Sequence, residues 1–181
     1  LGTNTPGVVG LTNGELNRVT VSPTGSLIIG DANSGPITIS APLSPEGFRI
    51  LDLRRNVTFS ATGGFISDIT SGGNYERIIV AGTVNIEPGA TLALNPVGGY
   101  VWNGTDSFTI IDNDGNDPFT GTFTGPSLSN FLGSMTAAKR SYSEGSGNDL
   151  RFLPFSNNAN LSDLTLSSGS FSPVFAPATT A

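Results

Sequence analysis

The stretch Val84-Asn85-Ile86-Glu87-Pro88-Gly89-Ala90-Thr91-Leu92-Ala93-Leu94, "VNIEPGATLAL", has a near twin in "VTVSPTGSLII" at 19–29. Both follow V-x-[VI]-x-P-x-x-x-L-x-[IL], with Pro23 matching Pro88 and Leu27 matching Leu92. Alternating apolar positions place one face of each short run inward, and the proline with its small neighbours turns the chain between the two runs. That is a β-arc. One arc cannot bury its own apolar edge, so arcs stack, and stacked arcs make a β-solenoid. Hairpins are the competing use of such strands, and Asn13-Gly14, Asn103-Gly104 and Asp114-Gly115 are available to make them. An antiparallel β-sandwich is therefore the second reading of the fold.

Further short apolar runs continue the pattern outward: "ITI" at 37–39, "ILDL" at 50–53, "VTF" at 57–59, "RIIV" at 77–80 and "FTII" at 108–111. Between them lie "DANSGP", "LSPEG" and "SGGN", whose glycines and prolines suit sharp turns. The inner face expected from the alternation is Val19, Val21, Leu27, Ile29, Ile37, Ile39, Leu51, Leu53, Ile78, Val80, Val84, Ile86, Leu92 and Leu94. The expected class is all-β with almost no helix, the solenoid running over 10–155. The segment 127–140, free of proline after Pro126 and with adjacent alanines, is the one place where a short helix is expected to intrude.

Composition narrows the function. The 181 residues contain neither histidine nor cysteine, which removes Ser-His-Asp and Cys-His machinery, imidazole and thiolate metal sites, and disulfides. A net charge of −6, with its few cations scattered, offers no face to nucleic acid. No apolar run reaches membrane-spanning length, and no signal-peptide pattern opens the chain, which reads as a mature piece of something longer. An acidic, cysteine-free chain rich in Gly, Ser, Thr and Asn suits a bacterial surface or secreted protein.

"GLTNGELNRVTVSPTGSLIIGDANSGPITISAPLSPEGFRILDLRR" (10–55) resembles the β-helical coils of filamentous-haemagglutinin-like and autotransporter-like surface proteins, in which L-T-N-x-E-L, L-x-I-G and G-x-I-T-I mark consecutive strands. "NYERIIVAGTVNIEPGATLAL" (74–94), "FTIIDNDGNDPFTGTFTG" (108–125) and "YSEGSGNDLRFL" (142–153) resemble the terminal module of those repeats. The resemblance spans about 1–155. It implies a right-handed parallel β-helix on a very large exported protein, serving adhesion or surface display, and it carries over no catalytic residue. The tail "LSDLTLSSGSFSPVFAPATTA" (161–181) is similar to the opening of a bacterial cadherin-like β-sandwich domain, so 156–181 is expected to be a linker with the first strand of an incomplete domain.

Some groups of residues invite a functional reading. In "IDNDGNDP" (111–118), Asp112, Asp114, Asn116 and Asp117 offer oxygen ligands for calcium, although the distal glutamate of an EF-hand is missing and Asp-Gly is itself a preferred tight turn. The turn is the preferred reading, with calcium as the alternative and no other cofactor. "EGSGNDL" (144–150) is like a single glycine-aspartate calcium repeat, but it is read as the hairpin before "LRFL". Tyr100, Trp102 and Phe108 make either a sugar platform or, preferably, a cover over the end of the core. Arg54-Arg55 and Lys139-Arg140 can meet an acidic polysaccharide or simply be solvated. Asn56, Asn103 and Asn160 head glycosylation triplets.

The expected function is a non-catalytic structural or adhesive module at the cell surface or in an extracellular filament. The alternatives are a carbohydrate- or calcium-binding β-domain and a polysaccharide-active β-helix enzyme. Expected partners are surface glycans and further copies joined end to end, through 156–181 and through solenoid ends that lack an evident capping helix.

Overall fold

A computed structural model describes residues 12–16, 18–19, 25–45, 48–102, 105–125, 138–145 and 148–154. Among the described residues the chain is all-β apart from one helical turn, α1 (Asn13–Leu16). Strands then come in sets of three: β1 (Ser26–Ile29), β2 (Ile37–Ile39) and β3 (Pro42–Leu43), followed by β4 (Ile50–Leu53), β5 (Val57–Phe59) and β6 (Gly64–Ser71). After β7 (Asn74–Tyr75), which folds back on β6, the third set is β8 (Arg77–Val80), β9 (Val84–Ile86) and β10 (Thr91–Pro96). The fourth set holds β11 (Phe108–Asn113) and β12 (Phe119–Thr120), with a single bridge from Thr124 to Thr91 in the place of a third strand. A hairpin, β13 (Ala138–Glu144) and β14 (Asp149–Pro154), ends the described chain.

Each member of a set goes to its own sheet. The order β1-β4-β8-β11 forms one ladder, β2-β5-β9-β12 a second and β3-β6-β10 a third, with every one of these pairings parallel. Register stacks like on like. Leu27, Leu51, Ile78 and Ile111 form one inner column, Ile37, Val57, Val84 and Phe119 another, and Leu43, Phe65 and Leu92 a third. Side chains alternate across a strand, so an x-apolar-x-apolar run feeds two such columns. The burial of β4, β8, β5 and β9 alternates accordingly.

Ten of the expected inner residues, Ile37, Ile39, Leu51, Leu53, Ile78, Val80, Val84, Ile86, Leu92 and Leu94, are buried in one core. Leu27 and Ile29 are half-buried against it, and among the described residues β1 has a strand neighbour on one side only. Val19 is half-buried outside any strand, and Val21 lies outside the described residues. The corners leading out of the second ladder are tight. A Cβ on Gly63 would meet the carbonyl oxygen of Ile39, and one on Gly121, at φ 78°, would meet that of Ile86.

Several expectations need correction. The L-T-N-x-E-L stretch is a helical turn, not a strand. Thr12 Oγ1 accepts from Glu15 N–H at 3.2 Å while Glu15 Oε2 accepts from Thr12 N–H at 2.9 Å, a reciprocal capping box that also holds the Glu15 carboxyl below its usual range. A helical turn therefore does stand at the N-terminal end, and it buries Leu16 in the core. Residues 138–140 belong to β13, and 127–137 lie outside the described residues. The two arcs that superpose in sequence differ in phase: "SLII" belongs to the first ladder and "TLAL" to the third. Neither Asn13-Gly14 nor Asp114-Gly115 joins paired strands. The antiparallel hairpins turn instead between β6 and β7 and between β13 and β14. Residues 156–181, including the expected sandwich strand, lie outside the described residues.

Candidate functional site

The densest polar arrangement joins the loop after β11 to the turn of the last hairpin. Extended pairing puts Asn113 at the end of β11, where its side chain faces inward in the column of Leu53 and Val80. Buried there, the amide needs polar partners, and Asn113 Nδ2 donates to the main-chain oxygen of Asp117 at 3.0 Å. Asn148, also buried, donates from Nδ2 to the same oxygen at 2.8 Å and to the oxygen of Asp114 at 3.5 Å. Asp149 Oδ1 accepts from Asn113 N–H at 3.1 Å. Burial holds the Asp149 carboxyl above its usual range and Asp112 adds to the rise, against the Asn113 N–H and Arg151, which lower it. The two segments that look in sequence like separate calcium motifs thus form one clasp.

The calcium candidates are distributed around this clasp. Asp112 faces outward on β11 and pairs with Arg77 at 3.7 Å, a contact that is about one-third exposed on the arginine side and worth little. Asp114 anchors the loop by donating its N–H to the oxygen of Val80 at 2.9 Å, and its side chain is exposed, as is Asn116. The main-chain oxygens of Asp114 and Asp117, natural cation ligands in such a loop, accept instead from the Asn113 and Asn148 amides. No group of three or more acidic side chains poised to hold a metal occurs among the described residues.

Tyr142 and Arg140 of β13 tie down the other side of the last strand set. Tyr142 OH accepts from Phe123 N–H at 2.9 Å, and its ring lies edge-on to Phe119 at 5.4 Å. Burial raises the Tyr142 hydroxyl above its usual range. Arg140 lies over the Tyr142 ring at 5.6 Å and donates to the carbonyl oxygens of Phe123 and Gly125. The Arg140 guanidinium, read as either a solvated charge or a polysaccharide contact, satisfies main-chain carbonyls at a corner. Arg54 pairs with Asp52 at 3.1 Å and Arg55 donates to the oxygen of Ala32 at 3.0 Å. Lys139 lies on β13.

Of the three aromatic residues, two join the core and Tyr100 packs against it. Trp102 and Phe108 are buried, the indole donating to the oxygen of Asp106 at 3.0 Å. Tyr100 and Tyr75 stand edge-on to Phe108 at 6.2 and 5.2 Å. Tyr100 OH donates to Asp106 Oδ2 at 2.7 Å, and burial together with that carboxylate raises the hydroxyl's pKa. Asn56, which heads one of the glycosylation triplets, accepts through Oδ1 from Thr83 N–H at 3.1 Å and so bridges two strand sets at a corner. Asn103 and Asn160 lie outside the described residues.

Sequence reasoning missed the roles of Asn113, Tyr142, Asn148 and Asp149. The signal for them was present in "GND" at 147–149 and in the polar Asn113 at an apolar register. No local pattern shows that two segments more than thirty residues apart meet. Comparison with protein-family models, with characterised proteins and with solved structures finds no match for this chain.

Proposed function

We propose that the chain is a non-catalytic structural module of a bacterial cell-surface or extracellular filament protein, built as a right-handed parallel β-helix. The observation that carries the reading is the triple set of parallel ladders, in which successive strand sets stack in register over continuous inner columns. Each strand set is then one coil, and the path from one strand of a ladder through the other two sheets to the next strand of that ladder is a crossover between parallel strands, which is almost always right-handed. Such a stack makes a stiff rod whose length grows by one strand spacing per coil, about 4.8 Å. The polar side chains that looked functional support this reading by being used internally, at corners, caps and the clasp. No helix among the described residues is long and apolar enough to cross a membrane.

End-to-end association belongs to the same proposal. It would run through the 156–181 tail and the ends of the stack, and the β1 edge supports it, because β13 and β14 cover the other end of the first ladder. Calcium at Asp112, Asp114, Asn116 and Asp117, with glycan binding, is the competing reading. A glycan array read with and without chelator separates the two, accompanied by melting curves. The structural reading predicts no calcium-dependent glycan signal and an unchanged melting temperature, since an ion that binds only the folded chain must raise it. A rise of several degrees that Asp112→Asn and Asp114→Asn together abolish would favour calcium.

A further inference from the structure

The Asp117–Pro118 peptide bond lies at the centre of the clasp. Its carbonyl oxygen accepts from two primary amides, Asn113 Nδ2 at 3.0 Å and Asn148 Nδ2 at 2.8 Å. One donor is enough to close a turn. Two convergent N–H donors at these distances are the arrangement that stabilises the oxyanion when a carbonyl becomes tetrahedral. The same residue carries a nucleophile. The Asp117 carboxylate closes a five-membered ring when it attacks its own carbonyl carbon, a reaction that needs no approach of a second molecule. The leaving group is the nitrogen of a proline, a tertiary amide without an N–H. Asp117 is half-buried and Pro118 exposed, so water reaches the bond.

We propose that the folded chain promotes cleavage of its own Asp117–Pro118 bond, a single event on the protein itself and distinct from turnover of a substrate. A lone pair on an Asp117 carboxylate oxygen forms a C–O bond to the Asp117 carbonyl carbon, and the π electrons move onto the oxygen held by the Asn113 and Asn148 amides. That pair returns, the C–N bond breaks, and its electrons pass to the Pro118 nitrogen, which takes a proton from solvent and leaves as a secondary amine. Water then opens the cyclic anhydride to leave Asp117 with two carboxyl groups. One water is consumed, and nothing is oxidised or reduced.

The products, 1–117 and 118–181, stay together in the folded state. β14 remains paired with β11 through Phe108↔Phe152, Thr109↔Arg151 and Ile111↔Leu150, and Leu150, Phe152 and Phe123 remain buried. Cleavage thus places the hairpin that seals one end of the first ladder on a separate polypeptide, held by strand pairing and packing instead of by a covalent bond.

The test incubates the whole 181-residue chain in a buffer of about pH 4.5, near the ordinary carboxyl range, and follows it by intact mass spectrometry under denaturing conditions. Fragments ending at Asp117 and beginning at Pro118 are expected from the folded chain at least about tenfold faster than from the same chain in urea. Asn148→Asp, which keeps the size and removes a donor, lowers the rate about tenfold or more. Asp117→Ala abolishes the cleavage. If Asn148→Asp does not fold, the comparison between folded and urea-treated native sequence still decides. Cleavage in urea as fast as in the folded state, or none at this bond, overturns the proposal and leaves the two amides as a lock on the turn.

Discussion

The two ends of the first ladder are built on different principles. At one end stands β1, "SLII", a parallel strand with no charged residue, its Leu27 and Ile29 half-buried and Ile28 49% exposed. At the other, β11 meets not a further parallel strand but the antiparallel β14, backed by β13. Ile110, Ile111 and Leu150 are fully buried there, and Phe152 is 2% exposed. The edge strand β13 carries Lys139, Arg140 and Glu144 and an irregular register between Ser141 and Glu144. Charge and bulges blunt an edge against further pairing. The contrast teaches that a parallel stack is closed by a change of strand direction, and that the closure depends on tertiary contacts from distant sequence: the Asn148 and Asp149 clasp, the Tyr142 hydroxyl and the Arg140 guanidinium.

The largest expected effect is in the sealed end. Phe152→Ala removes a buried ring paired opposite Phe108 and should cost about 3–5 kcal/mol. Leu27→Ala, at the half-exposed end, should cost about 1 kcal/mol, since little more than one methylene's worth of burial is lost. Urea titrations of both variants measure the difference. Equal losses would break the comparison.

Next come two glycines with positive φ. Gly121→Ala forces a side chain onto the main-chain carbonyl of Ile86 and should cost about 3 kcal/mol, combining strain with a clash that backbone cannot relieve. Gly30→Ala, at φ 91° beside β1, has side-chain atoms of Arg55, Ile37 and Ser34 as its nearest neighbours, which can move, and should cost about 1–2 kcal/mol. Thermal melts of the pair rank the rigidity of the two corners.

The pH dependence of the clasp sharpens the contrast further. Because the Asp149 carboxyl is held up by burial and by Asp112, the folded chain binds this proton more tightly than the unfolded chain. Stability from this group is therefore fully present below the ordinary aspartate value of 3.8 and is lost as pH rises through the raised folded value. Asp149→Asn keeps an oxygen to accept from Asn113 N–H and removes the charge. The variant should be more stable than the native chain at neutral pH, with the gap closing in acid. A gap that widens in acid would contradict the assigned cause. The smallest effect is expected at α1, where Thr12→Ala should cost up to about 1 kcal/mol and speed hydrogen exchange at Glu15 and Leu16 while leaving β11 and β14 unchanged.

Much of the scaffold was legible in the sequence. The period-two runs at 37–39, 50–53, 57–59 and 77–80 named the inner columns because alternation follows from strand geometry alone. The hairpin before "LRFL" was legible for another reason, that its glycine-aspartate repeat occurs once and has no tandem copy to stack on. Phase was not: "SLII" and "TLAL" look alike yet join different ladders, since a short arc carries no mark of which corner precedes it. The helical turn was missed because a match to L-T-N-x-E-L as a strand marker outweighed the capping signal of Thr12 and Glu15. The clasp was legible only as two unrelated polar loops, because what joins them is register over more than thirty residues.

The in-register parallel stack is tested most directly on the outward row Thr38, Thr58, Asn85 and Thr120, which the pairing places on successive strands of the second ladder. The chain has no cysteine, so paired substitutions Thr38→Cys with Thr58→Cys, Asn85→Cys or Thr120→Cys accept spin labels at defined positions only. Stacked strands predict label separations that rise in equal steps of about 4.8 Å along the row. A Thr38 to Thr120 separation no greater than that from Thr38 to Asn85, or steps out of order, would contradict the stack and return the sandwich as the better description.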